Sequence, residues 1–153
     1  IEEEEQHVRS YLEIQQVRYQ DILEYEIEVP EELYACRIPK ITIQPLVENA
    51  LYHGIKNKRG VGRICIRCFE EETGCHIRIE DNGIGIAPEE LPFVFDKFYK
   101  SKLRQNAKGS GLGLAIAKQI ALKHDGTINI HSELSKGTEF VFRFRPIDEE
   151  EFV

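Results

Sequence analysis

The sequence has 153 residues, a length that suits one compact domain. Its composition, 41% hydrophobic and 31% charged, excludes wholesale disorder and a membrane-embedded protein, and no apolar run is long enough to cross a bilayer. The formal charge of −7 argues against a protein whose whole surface binds nucleic acid. The start at Ile1, without Met or a signal peptide, leads us to expect a piece of a larger protein.

The first half of the chain predicts two helices separated by a short strand. Apolar residues at helical spacing predict a helix over residues 1–23, and a strand follows over residues 25–29. A second helix is predicted over residues 42–53, with Pro45 in its first turn and Gly54 as its stop. Both helices have an apolar stripe that a sheet would cover.

The second half of the chain predicts two antiparallel hairpins, over residues 62–70 with 75–81 and 127–132 with 138–145. Between the hairpins, a long irregular stretch over residues 83–110 contains one short helical segment at residues 88–91. A third helix follows over about residues 111–124. The predicted fold is therefore α+β: a two-layer α/β sandwich whose mixed, mostly antiparallel sheet carries helices on one face.

The cysteines raise the possibility of a zinc site. Cys65 and Cys68 form a C-x-x-C motif, and Cys75 with His76 follows. Both pairs lie in predicted strands, where a spacing of three residues puts side chains on opposite faces. No second motif completes a tetrahedral site, so reduced cysteines packed as small hydrophobes in a cytoplasmic protein are the favoured interpretation.

Asp81 ends the predicted strand that contains Ile77 and Ile79, and it continues their core-facing row. A carboxylate that points inward costs free energy unless it finds donors. Gly83 and Gly85 follow, and glycines allow a ligand to approach the backbone. Asp81 is therefore either a buried cap of the turn or an acceptor for the exocyclic amine of adenine.

A glycine-rich segment, Gly109-Ser110-Gly111-Leu112-Gly113-Leu114, opens the third predicted helix. It matches neither the Walker A loop nor the Rossmann fingerprint, but N–H groups at a helix start can bind phosphate. A flexible hinge is the alternative. Four cations and no acid precede it, which favours a mobile lid over polyphosphate: Lys100, Lys102, Arg104 and Lys108.

Polar residues also mark the second helix and the last strand. Asn49 and His53 lie one helical turn apart, and Tyr52 shares their edge. Asn49 is either a surface residue without a specific function or an oxygen ligand for Mg²⁺. Thr138 precedes the alternating, core-facing residues Phe140, Phe142 and Phe144, so its hydroxyl is expected near the ligand that Asp81 holds. Four aromatic residues of the long loop are predicted to anchor the lid by packing: Phe93, Phe95, Phe98 and Tyr99.

These segments together resemble the ATP-binding catalytic domain of two-component sensor histidine kinases, in the gyrase, Hsp90, histidine kinase and MutL ATPase superfamily. In chain order, the matching segments are Gln44–Gly54 (N box), Asp81–Gly85 (G1 box), Phe95–Tyr99 (F box), Gly109–Leu114 (G2 box) and Gly137–Thr138. The front half resembles the subgroup of autolysin-regulating sensor kinases. The resemblance implies the Bergerat ATP-binding fold, with ATP and Mg²⁺ bound.

The resemblance also implies a role for individual residues. Asn49 would ligate Mg²⁺, Asp81 would anchor adenine, Gly83 and Gly85 would line the base, and Thr138 would lie near it. Tyr99 and Lys100 would contact the nucleotide from the start of the lid. The residues that would surround the phosphates are Ser110, Gly111, Leu112, Gly113 and Leu114. Tyr52 stands where many relatives have a phosphate-binding Lys, so His53 or the lid lysines, Lys102 and Lys108 among them, would supply that charge. Pro45 stands where hydrolysing superfamily members have a Glu that activates water.

The implied activity is transfer of the γ-phosphoryl group of ATP to a histidine outside this sequence, since none of the five histidines lies in an acceptor motif. Residues 1–23 would connect to an upstream dimerisation and phosphoacceptor region, residues 24–146 would form the catalytic domain, and residues 147–153 an acidic tail. The implied partners are histidine-bearing helices of the same or a paired chain and a response regulator, in a homodimeric sensor anchored to the membrane, with this part in the cytoplasm. An anti-sigma-factor-type serine kinase and a degenerate nucleotide-binding module remain as alternatives.

Overall fold

The computed structural model describes residues 1–40, 42–56, 58–99 and 113–145. The helices are α1 (Glu2–Arg18), α2 (Gln44–Asn49) and α3 (Gly113–Lys123), and the strands are β1 (Leu23–Glu28), β2 (Gly62–Glu71), β3 (Gly74–Asp81), β4 (Thr127–Glu133) and β5 (Gly137–Phe144). Short 3₁₀ turns occupy Glu31–Leu33 and Leu91–Phe93. Residues predicted for the lid and phosphate site, Lys100, Lys102, Lys108, Ser110, Gly111 and Leu112, lie outside the described residues, as does the acidic tail.

The five strands form one sheet in the order β1-β2-β3-β5-β4. Only β1 and β2 pair in parallel, and the other three neighbouring pairs are antiparallel. The mixed, mostly antiparallel sheet predicted from the sequence is therefore confirmed. Strand β3 lies at the centre, so that its last residue, Asp81, is paired with Ile64 on one side and with Thr138 on the other.

The core lies between one face of this sheet and the helices. The sheet contributes alternate residues of its strands, and the helices contribute their apolar stripes: Ile64, Ile66, Ile77, Ile79, Phe140 and Phe142 with Val8, Leu12, Leu46, Val47, Ala117 and Ala121. The phenylalanine row on β5 is buried as predicted. Cys65 and Cys68 point to opposite faces of β2, and only Cys68 enters the core. Within the part of the chain that the structure describes, no helix is both long and apolar enough to cross a bilayer.

The first helix is shorter than predicted, since it ends at Arg18 and not near residue 23. Strand pairing explains the difference. The carbonyl of Ile22 accepts a hydrogen bond from the Gly62 N–H at 2.7 Å, and Leu23 already pairs with Gly62 in the sheet. Ile22 is one of the apolar residues at helical spacing from which the helix over residues 1–23 was predicted, but it is 41% exposed and does not belong to a buried stripe.

The sequence predicted that the second helix stops at Gly54, but the helix continues past this residue. It continues from α2 into a π-helical segment, Ala50–Ile55, in which the Lys56 N–H donates to the Leu51 carbonyl at 2.9 Å. Gly54 is present for another reason: it lies against neighbouring residues that leave no room for a side chain. Single π-helical turns of this kind are frequent at functional sites.

The aromatic residues of the long loop divide into two groups. Phe95 packs on the core, with its ring 6.4 Å from that of Phe140 in an edge-to-face arrangement of 73°. Phe93 and Phe98 are 50% and 68% exposed, so neither anchors the loop to the core as predicted. The short helical segment lies at Leu91–Phe93, slightly later than expected.

Candidate functional site

The candidate site is built around the carboxylate of Asp81 at the end of β3. Its Oδ1 atom accepts a hydrogen bond from the Gly83 N–H at 2.8 Å. On its other side lies Gly54 of the π-helical segment, where a Cβ atom would come within 2.8 Å of Oδ1 and 3.2 Å of Cγ. The half-buried carboxylate therefore points toward the helical layer, which confirms the inward direction predicted for it.

Two glycines allow the helix and the loop after β3 to approach this carboxylate closely. A Cβ atom on Gly83 would collide with the backbone of Gly54, and the Ile84 N–H donates to the Gly54 carbonyl at 3.3 Å. The loop after β3 is thus fixed directly against the helix. Larger residues at either position would push these segments apart or occupy the space that they enclose.

A glycine is needed at position 85 for a different structural reason. Its φ angle is +75°, and a Cβ atom there would collide with the carbonyl of Glu133 at the end of β4. The Ser135 N–H donates to the Ile84 carbonyl at 2.8 Å across the same contact. Gly85 therefore fixes the loop against the β4–β5 turn, and its predicted role in lining a base remains a prediction.

Thr138 belongs to a network of hydroxyl groups beside Asp81. It is buried, and its Oγ1 lies 2.8 Å from Oγ of Ser132, its cross-strand neighbour. The Ser132 hydroxyl donates to the Gly137 carbonyl at 2.9 Å and accepts from the Ile86 N–H at 2.8 Å. The network connects the loop after Asp81 to the start of β5.

Ser132 is absent from the site predicted from the sequence. The signal for it was present, because Ile128, Ile130 and Ser132 alternate on β4 in the same way that Ile77, Ile79 and Asp81 alternate on β3. A polar residue that continues a core-facing row needs partners. Here the partners are backbone groups of the neighbouring loop and strand.

The helical side of the site carries Asn49, Tyr52 and His53, all of them half-buried. Asn49 is the last residue of the α-helical part, and the other two lie in the wide π-helical turn. The ammonium group of Lys56 lies 5.7 Å from the centre of the Tyr52 ring. Burial, and the proximity of Tyr52, raise the pKa of Tyr11 on α1, so α1 packs on this turn. Lys56 is thus a cation near Tyr52 that is absent from the site predicted from the sequence.

The remaining predicted residues that the structure describes are Tyr99, in the long loop after β3, and Gly113 and Leu114, at the start of α3. The Tyr99 hydroxyl donates to Oε1 of Glu90 at 2.7 Å, and its ring lies 6.4 Å from that of Phe93. Gly113 begins α3, and a Cβ atom there would meet no heavy atom within 4 Å. Leu114 packs on the core. Of the predicted G2 residues, only Gly113 and Leu114 are described.

The chemistry that the site offers is a hydrogen-bond acceptor, the half-buried carboxylate of Asp81. The carboxylate accepts the Gly83 N–H, and a carboxylate is able to accept several hydrogen bonds, among them one from an amine donor. Among residues 1–40, 42–56, 58–99 and 113–145, no three His, Cys, Asp or Glu side chains are arranged to hold a metal ion.

The sequence matches the family of histidine kinase-, DNA gyrase B- and HSP90-like ATPases over residues 39–147. Sensor protein LytS of Bacillus cereus is 33% identical over 145 residues, which cover 93% of this chain and 24% of LytS. The phosphate regulon sensor protein PhoR of Pseudomonas aeruginosa is 36% identical over 100 residues, 64% of this chain and 23% of PhoR. The chain thus spans about a quarter of the length of these relatives.

Solved structures agree with the sequence comparison. A mycobacterial sensor histidine kinase, MprB, superposes with a TM-score of 0.68 at 29% identity, covering 92% of this chain and 95% of the MprB chain. The catalytic domain of histidine kinase ThkA gives a TM-score of 0.70 at 21% identity, over 91% of this chain and 89% of that one, which supports the fold alone. With most of its length matched in sequence and in fold, the chain belongs to the family of histidine kinase-, DNA gyrase B- and HSP90-like ATPases.

Proposed function

We propose that this chain is the ATP-binding catalytic domain of a two-component sensor histidine kinase. In this role it binds ATP with Mg²⁺ and presents the γ-phosphoryl group to a histidine in another region of the sensor. The observation that carries the proposal is the carboxylate of Asp81 beside Gly54 and Gly83, in a chain similar to the sensor proteins LytS and PhoR.

Asp81 would recognise the adenine base. Its Oδ1 is already held by the Gly83 N–H, so the carboxylate is oriented before the ligand arrives. The exocyclic amine of adenine would donate to this group, and neither Gly54 nor Gly83 carries a side chain that would cover the carboxylate. The Thr138 and Ser132 hydroxyls next to Asp81 would contact the base directly or through water.

Asn49 would hold Mg²⁺ through its side-chain oxygen. Mg²⁺ takes few protein ligands and keeps several waters, so one amide oxygen with phosphate oxygens suits it. When bound, the ion neutralises charge on the phosphates. The backbone N–H groups at the start of α3, from Gly113 onward, would donate to the same phosphates. The transfer then needs positioning and charge stabilisation, and no covalent step on residues of this chain.

Two residues suggest that the domain hydrolyses ATP slowly by itself. Pro45 lies in the first turn of α2, where hydrolysing relatives carry a Glu, and Pro45 cannot activate water. Tyr52 replaces a phosphate-binding Lys, and Lys56 beside its ring would supply part of the missing charge. We expect ATP to be held for transfer and not consumed.

The whole sensor would bring further partners. Helix α1 would continue into helices that carry the acceptor histidine, in the same or a paired chain of a homodimer. A response regulator would then receive the phosphoryl group from that histidine. The domain would lie on the cytoplasmic side of a membrane-anchored sensor. Radiolabelled phosphate from ATP should not appear on this chain alone, and its appearance would contradict an external acceptor.

Calorimetric titration with a non-hydrolysable ATP analogue tests the binding site. Asp81→Asn removes the charged acceptor, and loss of a charge-assisted hydrogen bond should weaken binding about 10- to 100-fold. Asp21→Asn, in the exposed turn after α1, is the matched control and should bind normally. Omitting Mg²⁺ should weaken binding of the wild type, and Asn49→Ala should remove most of this dependence. Equal affinity for wild type and Asp81→Asn would overturn the adenine role.

A further inference from the structure

Glu4 is a charged residue on the buried stripe of α1. It lies one helical turn before Val8 and two turns before Leu12, which are 1% and 0% exposed. Glu4 itself is half-buried. A carboxylate in such a place costs free energy unless it finds hydrogen-bond donors. Its donors come from the segment that leads into α2, 38 and 39 residues further along the chain.

The donors are the backbone N–H groups of the two residues that precede α2. Oε2 of Glu4 accepts from the Thr42 N–H at 3.1 Å and from the Ile43 N–H at 3.4 Å. Thr42 is fully buried and Ile43 is 1% exposed, so water does not replace the carboxylate at these groups. The N-cap residue, Ile43, makes no capping bond with its side chain. Glu4 supplies from α1 the negative charge that favours the start of a helix.

Ile43 connects this contact to α2. Its N–H donates to Glu4, and its carbonyl accepts the N–H groups of Leu46 and Val47, both at 3.1 Å. From there α2 runs for six residues, a length of about 9 Å, and ends at Asn49. The first hydrogen bonds of the helix that carries Asn49 therefore begin at a residue that α1 holds in place.

The other end of the helical segment is fixed by different contacts. The Gly54 carbonyl accepts the Ile84 N–H at 3.3 Å, and Gly54 lies against the carboxylate of Asp81. Asn49 thus lies between two attachments, one to α1 through Glu4 and one to the loop after β3. Loss of the first attachment would shift the start of α2 together with Asn49. It would leave the carboxylate that is proposed to bind adenine in place.

We propose that Glu4 is a positioning residue for Mg²⁺ binding, which acts through α2 on Asn49. The inference rests on the proposed function, in which Asn49 holds Mg²⁺ on the bound nucleotide. Mg²⁺ demands near-ideal octahedral geometry, so a small displacement of one ligand weakens its binding. Helix α1 therefore sets the affinity for ATP through the metal, whereas Asp81 sets it through the base. A shift of α1, the helix that would lead to the acceptor region, would change the first contribution and not the second.

Calorimetric titration with a non-hydrolysable ATP analogue, with and without Mg²⁺, separates the two contributions. In Glu4→Ala the factor by which Mg²⁺ tightens binding should fall about 3- to 10-fold, while affinity without Mg²⁺ stays within about twofold of wild type. Glu3→Ala removes the same charge from the exposed side of the same turn and should behave like wild type. Glu4→Gln keeps an oxygen acceptor for the two N–H groups and should restore most of the Mg²⁺ effect.

Amide hydrogen exchange gives a second readout that does not depend on the nucleotide. The Thr42 and Ile43 amides should exchange at least about tenfold faster in Glu4→Ala than in Glu3→Ala, and unchanged exchange in β3 shows that the variant is folded. A wild-type Mg²⁺ effect in Glu4→Ala, or an equal loss of affinity with and without Mg²⁺, would overturn the positioning role and leave the proposed function intact. If Mg²⁺ does not tighten binding to wild type, the metal role of Asn49 fails, and the positioning role is overturned with it.

Discussion

Gly54 and the carboxylate of Asp81 are in van der Waals contact across the boundary between helix and sheet. A Cβ atom at residue 54 would stand 2.8 Å from Oδ1 of Asp81, closer than real Cβ atoms come to an oxygen. The same oxygen accepts the Gly83 N–H, so the carboxylate cannot move aside without losing that bond. A missing side chain on the helix thus sets the position of the acceptor on the sheet.

Gly54→Ala should therefore damage binding more than stability. The methyl group would displace the carboxylate, and we expect affinity for the ATP analogue to fall about tenfold or more. Ala favours a helix over Gly by about 1 kcal/mol, which offsets part of the steric cost, so the free energy of unfolding should change by about 1 kcal/mol or less. Titration calorimetry and urea unfolding measure the two quantities.

A double-mutant cycle isolates the contact between these residues. In an Asp81→Ala background the carboxylate is absent, and Gly54→Ala should then stabilise the chain relative to its parent. If Gly54→Ala is equally costly in both backgrounds, the carboxylate is not what the methyl group meets, and the description of the site is wrong.

Ser132→Ala should lower the free energy of unfolding by about 1–3 kcal/mol. The substitution leaves the Ile86 N–H and the Gly137 carbonyl without their partner, and removes the contact with Thr138. Urea unfolding measures the loss. Ser10→Ala, on the exposed side of α1, is the matched control and should be neutral or slightly stabilising. Equal stability of the two variants would mean that the hydroxyl network contributes nothing.

Glu80→Gln should stabilise the protein at neutral pH but not in acid. Glu80 faces Glu139 across the sheet, and Arg78 Nε lies 4.0 Å from the first carboxylate and 3.6 Å from the second. Partial burial, a hydrogen bond with Glu139 and repulsion by its charge raise the pKa of Glu80 above 4.5. Its stabilising contribution is therefore present below pH 4.5 and is lost as the pH rises through the raised value.

Urea unfolding at several pH values checks this dependence. The midpoint for Glu80→Gln should exceed that of wild type at pH 7, and the difference should vanish below pH 4.5, where Glu80 is protonated in both the folded and unfolded states. Glu26→Gln, on the same sheet face of β1, is the control. A neutral-pH midpoint lower than that of wild type would mean that the partly exposed pair with Arg78 outweighs the repulsion.

The contact between Phe95 and Phe140 should appear as a coupling energy. Phe140→Ala alone should cost about 3–5 kcal/mol, because the ring is fully buried. A double-mutant cycle with Phe95→Ala should give a coupling of about 0.5–1.5 kcal/mol for the edge-to-face pair. The same cycle with Phe98, whose ring is mostly exposed, should give a coupling near zero. Equal coupling in both cycles would mean that Phe95 does not anchor the loop.

Periodicity was sufficient to predict most of the fold. Alternation in β3 and β5 predicted both strands and the inward side chain of Asp81, since these patterns depend on local geometry alone. The end of α1 was not predictable in this way. It is decided by the pairing of Leu23 with Gly62, a contact between distant segments that competes with helix propensity.

The site was also predicted only in part, because local patterns identify some of its residues and contacts between distant segments decide the others. Thr138 was expected near the ligand that Asp81 holds, and the structure pairs the two residues directly. Gly54 looked like a helix stop, because the usual role of Gly after a helix is local, whereas its reason here is contact with Asp81 and Gly83. Ser132 was missed although it continues the row of Ile128 and Ile130, because its backbone partners and the Thr138 hydroxyl come from the loop and strand beside it, which a sequence does not display.

The π-helical turn at Ala50–Ile55 restricts how this segment can change in length. Each residue inserted into or deleted from a helix rotates everything beyond it by about 100°. Asn49 lies before the wide turn, and Gly54 lies near its end. A deletion that restored a regular α-helix would therefore keep Asn49 in place and turn Gly54 away from Asp81. Homologous sequences that keep the carboxylate should conserve the number of residues between positions 49 and 54 even where the residue types differ.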